Sequence, residues 1–158
     1  MKEIRLTKGQ CTIVDDEDFE YLNQFKWTAQ KRTHKHGVVY YAFRSEGKKY
    51  ISMANRILNN KTKCFIDHID NNPLNNQKSN LRLCNRSQNG INRLGWGKVK
   101  YKGVTIDKKG KYSYFRARIM VDKKTYNIGT FSSEIDAAIA YNVAAKKHFG
   151  EFAKLNHI

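Results

Sequence analysis

The run Asp67-His68-Ile69-Asp70-Asn71-Asn72-Pro73-Leu74-Asn75-Asn76 is followed by Ser79-Asn80-Leu81-Arg82 and Ser87-Gln88-Asn89, which packs two acids, an imidazole and seven asparagines into a short stretch. Asp and Asn bond to nearby backbone in competition with helix and strand, and they favour turns and caps. Their density here predicts an irregular backbone whose side chains do more than pack. Histidine titrates where a general base is useful. Carboxylate and amide oxygens are hard ligands suited to Mg²⁺ or Mn²⁺, and no cluster of thiols is present that would favour Zn²⁺. The chemistry in view is that of a metal site with a base beside it.

Particular elements are needed to bring these groups together. Adjacent residues on a regular strand face opposite sides, so Asp67 and His68 serve one site only if the strand ends or bends between them. The loop signals that follow fit this. Asn85, with Gln88 three residues on, reads as an N-cap with its capping-box partner. The short helix it starts would carry Asn89 inward, with Asn92 on the same face.

The stretch from Ile66 to Asn92 resembles the HNH nuclease motif, the strand–loop–strand–helix metal site of phage and intron homing endonucleases. The resemblance implies that His68 is the general base, that Asp67 and Asn89 are oxygen ligands to one divalent cation, and that Asn80 is a catalytic-site residue bracing the loop. Each role has a physical reason. A phosphodiester resists attack because the incoming oxygen meets a shell of negative charge, so cleavage needs a cation at the phosphate and a base near the water.

Thirty Lys and Arg stand against 14 Asp and Glu in 158 residues, a formal net charge of +16. Such a field attracts polyanions and drives salt-sensitive binding, though by itself it does not choose among DNA, RNA and an anionic membrane surface. The excess is uneven. Residues 94–158 carry 13 basic and 5 acidic side chains, half of the total excess.

Within that last third, Phe115, Ala117 and Ile119 alternate with Arg116, Arg118 and Met120, as on a strand with one face toward a core and the other toward a partner. A second alternation at Thr125-Tyr126-Asn127-Ile128 follows the turn at 121–124, and a short strand is expected over Tyr101–Thr105. Together they predict a three-stranded antiparallel sheet. Ser132 or Ser133 would cap a helix running to about Phe149, with Asp136 in its first turn. Ile135, Ala138, Ile139, Ala145 and Phe149 are its expected buried stripe.

This part resembles the Apetala-type (ethylene-response-factor) DNA-binding domain. The shared residues are Tyr101-Lys102-Gly103-Val104, Arg116-Ala117, Ile128-Gly129-Thr130-Phe131, Ala137-Ala138, Ala140-Tyr141, Phe149-Gly150-Glu151-Phe152-Ala153 and Leu155-Asn156. The exposed sheet face of that family lies in the major groove, which nominates Lys102, Thr105, Arg116, Arg118, Met120, Thr125 and Asn127 for DNA contact. Arginine can read guanine and asparagine adenine, while lysines mainly hold phosphates. Plant domains usually have Arg where this chain has Thr105 and Trp where it has Asn127, so their target sequence does not carry over.

Residues 1–60 resemble the leader of this nuclease family in the order of Val14-Asp15-Asp16-Glu17-Asp18-Phe19, Tyr21-Leu22, Phe25-Lys26-Trp27, Tyr40-Tyr41-Ala42-Phe43-Arg44 and Ile51-Ser52-Met53, with strands expected near 2–7, 11–14, 26–31, 38–44 and 48–53 and short helices at 16–24 and 53–59. Phe19, Leu22 and Trp27 read as core. His34 and His36 sit among Lys31, Arg32, Lys35 and Gly37 in a basic hairpin tip suited to brushing phosphates.

The expected fold class is α+β: a β-rich N-terminal segment, a ββα-metal module at about 61–93, then the three-stranded sheet packed on one helix. Domains are expected at 1–93 and 99–158, joined by a linker at 94–98. Cys11, Cys64 and Cys84 show no paired spacing, which predicts reduced thiols in a cytoplasmic protein. No stretch resembles a signal peptide or membrane span. The expected function is a site-specific, homing-type DNA endonuclease using Mg²⁺ or Mn²⁺, acting on double-stranded DNA as a monomer or weak dimer, with no obligate protein partner. The rival readings are a DNA-binding regulator with an inactive HNH module and a basic RNA-associated protein. Against the last, the aromatics of the C-terminal sheet are expected to point mostly inward.

Overall fold

A computed structural model describes residues 1–34, 37–62, 64–93, 99–109 and 112–158. The expected linker, Leu94 to Lys98, lies outside these residues, as do Lys35, His36 and Lys111. The chain is mixed α/β, rich in strand and divided among several small sheets, with two compact units, Met1–Arg86 and Ser87–Ile158. Among the described residues no helix is long and apolar enough to cross a membrane.

In the first unit, β1 (Lys2–Arg5) and β2 (Cys11–Val14) form an antiparallel hairpin that leads into α1 (Asp16–Asn23). Three acids in the first turn of α1 complement its dipole. An antiparallel meander follows, β3 (Thr28–His34), β4 (Gly37–Glu46) and β5 (Lys49–Ser52). Ser52 ends it by accepting a bond from Asn55 N, which caps α2 (Met53–Ile57). The strands and helices expected in this part all occur, with ends shifted by a few residues.

The core of this unit joins Ile4, Val14, Leu22, Trp27, Ala29, Ala42 and Met53. Trp27 satisfies its buried indole by donating to Leu22 O at 2.8 Å. Arg44, 6 % exposed, lays its guanidinium over the Phe25 ring at 3.7 Å and pairs with Glu46, which also receives Arg56. One buried cation is thereby compensated from both sides.

The unit closes with an antiparallel pair, β6 (Phe65–His68) and β7 (Leu81–Cys84). Helix α3 (Arg86–Ile91) starts one residue beyond the expected cap, Asn85.

In the second unit the sheet order is β10–β9–β8, built from β8 (Val104–Lys109), β9 (Tyr112–Val121) and β10 (Lys124–Phe131). Asp122 and Lys123 both have positive φ, the backbone of a tight hairpin turn whose twist suits the flanking strands. Helix α4 (Glu134–Phe149) covers one face, and the Ser133 hydroxyl caps it by accepting from Ile135 N and Asp136 N.

Two expectations are corrected in this unit. The strand expected over Tyr101–Thr105 begins only at Val104, because Gly103 has φ +76° and a Cβ there would lie 2.0 Å from the Tyr141 ring. The preceding turn is fastened instead: Lys102 N donates to Asn156 Oδ1 and Asn156 Nδ2 to Lys102 O. On α4 the buried positions are Ala137, Ala138, Tyr141 and Ala145, while Ile135 and Ile139 are nearly half exposed. Alanines let the helix approach the sheet closely, and the single large Tyr141 fills the remaining volume, which turns the isoleucines outward.

Candidate active site

β6 runs through His68, pairing Asp67 with Arg82 and His68 with Leu81, so the strand does not end between Asp67 and His68 as expected, and alternation sets the two side chains on opposite faces. His68 is partly buried. Its Nε2 lies 3.3 Å from Asn76 Oδ1. The amide of Asn76 is oriented by what surrounds it: Nδ2 donates to Thr12 Oγ1 at 2.8 Å and to Pro73 O at 3.3 Å. Thr12 in turn donates to Leu74 O at 2.7 Å. Carbonyls only accept, so the chain of donors runs one way, from His68 Nε2–H to Asn76, and from Asn76 through Thr12 to Leu74. Nδ1 is then the nitrogen that carries the lone pair. Thr12 and Asn76 are 0 % and 2 % exposed, so neither bond is diluted by water.

The loop between the strands is held by its own polar side chains. Asn80 accepts from Asp70 N, and its Nδ2 donates to Asp70 Oδ1 and to Asn75 O at 2.9 and 2.8 Å. Asp70 also takes Asn72 N and Asn75 Nδ2. Burial works to raise the Asp70 carboxyl, but these donors and nearby His68 prevail and hold it below its ordinary 3.8. The loop is also stitched to β2: Ile13 exchanges backbone bonds with Leu74 and Asn76, and Asp15 accepts from Gln77 and from Lys78 N. The Lys78 amide above all keeps the Asp15 carboxyl below 3.8.

Asp67 is 6 % exposed and receives Arg82 from the facing strand, Nε at 2.9 Å and a terminal nitrogen at 2.7 Å, both on Oδ2. A hard oxygen ligand whose orientation is fixed by a second partner suits a divalent cation such as Mg²⁺. Among the described residues no three His, Cys, Asp or Glu side chains cluster as a metal cage, so any such site draws on amide or solvent oxygens as well. Asn89 lies partly buried on α3 in the second unit, and Asn92 is buried just beyond that helix.

His68 and Asn76 open on a cleft of about 290 Å³ whose other walls include Arg32, Tyr41, Phe43 and Phe65. Asn76, Thr12 and Arg82 were not singled out from the sequence. Asn76 carried only the signal of belonging to the asparagine-rich run. Thr12, 64 residues from it, carried none.

The second unit places six of its seven nominated residues on one face of its sheet. Thr105 pairs with Arg116, Arg118 with Asn127 and Met120 with Thr125, and partners across antiparallel strands point the same way. The register shift at Ile128 lets that residue turn to the core while Asn127 stays outside. Arg116 is ion-paired with Asp107 on the same face. Lys102 is different: it precedes the strands, and its ammonium donates to Ile91 O and Arg93 O, where burial, with Lys154 nearby, pushes it down to about 8. Tyr112 and Tyr114 are exposed on the outer face, two exceptions to the expected inward alternation, while Phe115, Tyr126 and Phe131 alternate to the inner one.

The family model described as HNH endonuclease matches residues 60–91, the span of the hairpin, its loop and α3. An uncharacterized HNH endonuclease of Acanthamoeba polyphaga mimivirus is 30 % identical over 157 residues, covering 96 % of this chain and 77 % of its own. No solved structure matches. With a histidine held at the end of β6, a buried carboxylate beside it and a likeness running the length of the chain, the protein belongs to the HNH endonuclease family and is a nuclease.

Proposed function

We propose that the protein is a site-specific DNA endonuclease of the homing type, hydrolysing phosphodiesters with His68 as general base and one divalent cation. The observation that carries this reading is the one-way donor chain that starts at His68 Nε2–H, in a ring that with Asn76 lines the cleft. Nδ1 takes the proton of the attacking water, and Asn76 keeps the ring from turning. Asn80 holds the loop that presents the base. Asp67 and Asn89 would hold Mg²⁺ or Mn²⁺, which when bound supplies positive charge to the scissile phosphate.

The Apetala-type reading of the second unit supplies the target recognition. Three strands on one helix present Thr105, Arg116, Arg118, Met120, Thr125 and Asn127 together, a mixture of groups that can contact base edges. The charge of +16 favours double-stranded DNA as partner. A viral relative fits a mobile-element setting. One active site per chain cuts one strand per engagement, so a monomer nicks. Incubation of supercoiled phage and plasmid DNA with Mg²⁺ or with EDTA tests this. Metal-dependent open circles are expected, and DNA that stays supercoiled with Mg²⁺ would overturn the reading.

A further inference from the structure

The sheet β3–β4–β5 has two unlike faces. Ala29 and Ala42, paired across β3 and β4, are buried in the core, and Arg44 of the same face covers Phe25 and Trp27. Alternation puts Arg32, Tyr41, Phe43 and Ser52 on the other face, and these same four side chains line the cleft that contains His68. An antiparallel sheet with one face on the core is free to use the other for binding. Here that face holds aromatic rings and a cation, and it shares a wall with the base.

Arg32 is exposed, and its guanidinium lies over the Tyr41 ring, 5.0 Å from the centroid. Stacking of this kind fixes the plane of the group while its edge keeps donors for an oxyanion. Among the described residues lining the cleft, Arg32 carries the only full charge, and Phe65, half exposed, stands on β6 near His68. The cleft, about 290 Å³, is too small for a duplex and suited to one nucleotide unit. An anion with a flat, largely apolar body is what such walls complement.

We propose that this cleft seats the strand being cut: Arg32 holds a phosphate next to the scissile one, and Tyr41 with Phe65 face the adjoining nucleotide. The assignment rests on the nuclease reading above and gives the N-terminal sheet a role in holding substrate.

The test compares full-length wild-type, Arg32→Ala and Arg32→Lys proteins on supercoiled plasmid DNA and on a short fluorescein-labelled duplex spanning the mapped cut. Arg32→Ala should flatten the slope of log K against log salt by about 0.9, the loss of one phosphate contact. Its KM for nicking should rise ~10-fold, more than kcat falls, as expected for a charge-assisted contact. Arg32→Lys should restore the slope and only part of the affinity, since it keeps the charge without the stacked fork. An unchanged slope and KM in Arg32→Ala, with the wild type cutting, would overturn the cleft assignment and leave the nuclease intact. A wild type that cuts no DNA would overturn both.

Discussion

Asn76 Oδ1 sits 3.3 Å from His68 Nε2, and the amide that carries it is anchored by Thr12 and by the Pro73 carbonyl. The relation fixes which ring nitrogen bears the proton. Asn76→Ala strands two buried polar partners, which costs about 1–3 kcal/mol of stability. Misplacing a catalytic group by about 1 Å can cost ~10²-fold, so cleavage should fall on that order, well beyond the change in DNA affinity. Thermal melting and single-turnover cleavage check the two effects separately.

A pH dependence follows from the burial of His68, which lowers its pKa below the ordinary 6.5 against the opposing pull of Asn76, Asp70 and Asp67. As pH falls, the unfolded ring takes its proton near 6.5 and the folded ring only at lower pH. Between those values the unfolded chain binds more protons, so this contribution to stability is complete above 6.5 and is lost as pH falls through the window. Cleavage needs the neutral ring and should fade only below the lowered value. An NMR titration of the His68 ring in metal-free protein reads it directly, and a midpoint above 6.5 would contradict the account. Asn76→Asp, which adds a negative partner, should move the midpoint up.

The Asp67–Arg82 pair is almost wholly buried, its side chains 7 % and 12 % exposed. Removing Arg82 takes the cationic partner from a buried carboxylate, and Arg82→Ala should lose about 3–5 kcal/mol. Replacing both partners, Asp67→Asn with Arg82→Leu, should lose less than the single change. Urea denaturation of the three proteins measures the difference.

On the C-terminal sheet, Arg116 is already engaged by Asp107, while Arg118 stands opposite Asn127. Arg118→Ala should therefore weaken duplex binding more than Arg116→Ala, by roughly 1–3 kcal/mol if Arg118 makes a bidentate base contact. The double substitution should abolish specific binding. Gel shift against labelled target and competitor DNA distinguishes specific from general loss.

Much of this was legible in local pattern. Period-two alternation at Phe115–Met120 marked a strand with Ala117 and Ile119 inside, and Ser133 marked the start of α4. The Asp67-His68 pair and the asparagines marked the loop of the candidate site. What escaped depends on residues far apart in sequence. Thr12 reaches Asn76 only because β2 runs beside the loop. Ile135 and Ile139 looked like core until Tyr141, fitted against Gly103, took that volume. Arg82 reads as one more basic residue until strand pairing sets it against Asp67.

The most direct test is single-turnover nicking of supercoiled DNA with Mg²⁺ by wild-type and His68→Ala protein, with duplex affinity measured alongside. General-base catalysis contributes about 10²–10⁴-fold, so the variant should bind DNA nearly as the wild type does and lose cleavage by a factor in that range. A His68→Ala protein that binds and still cuts at close to the wild-type rate would contradict the account.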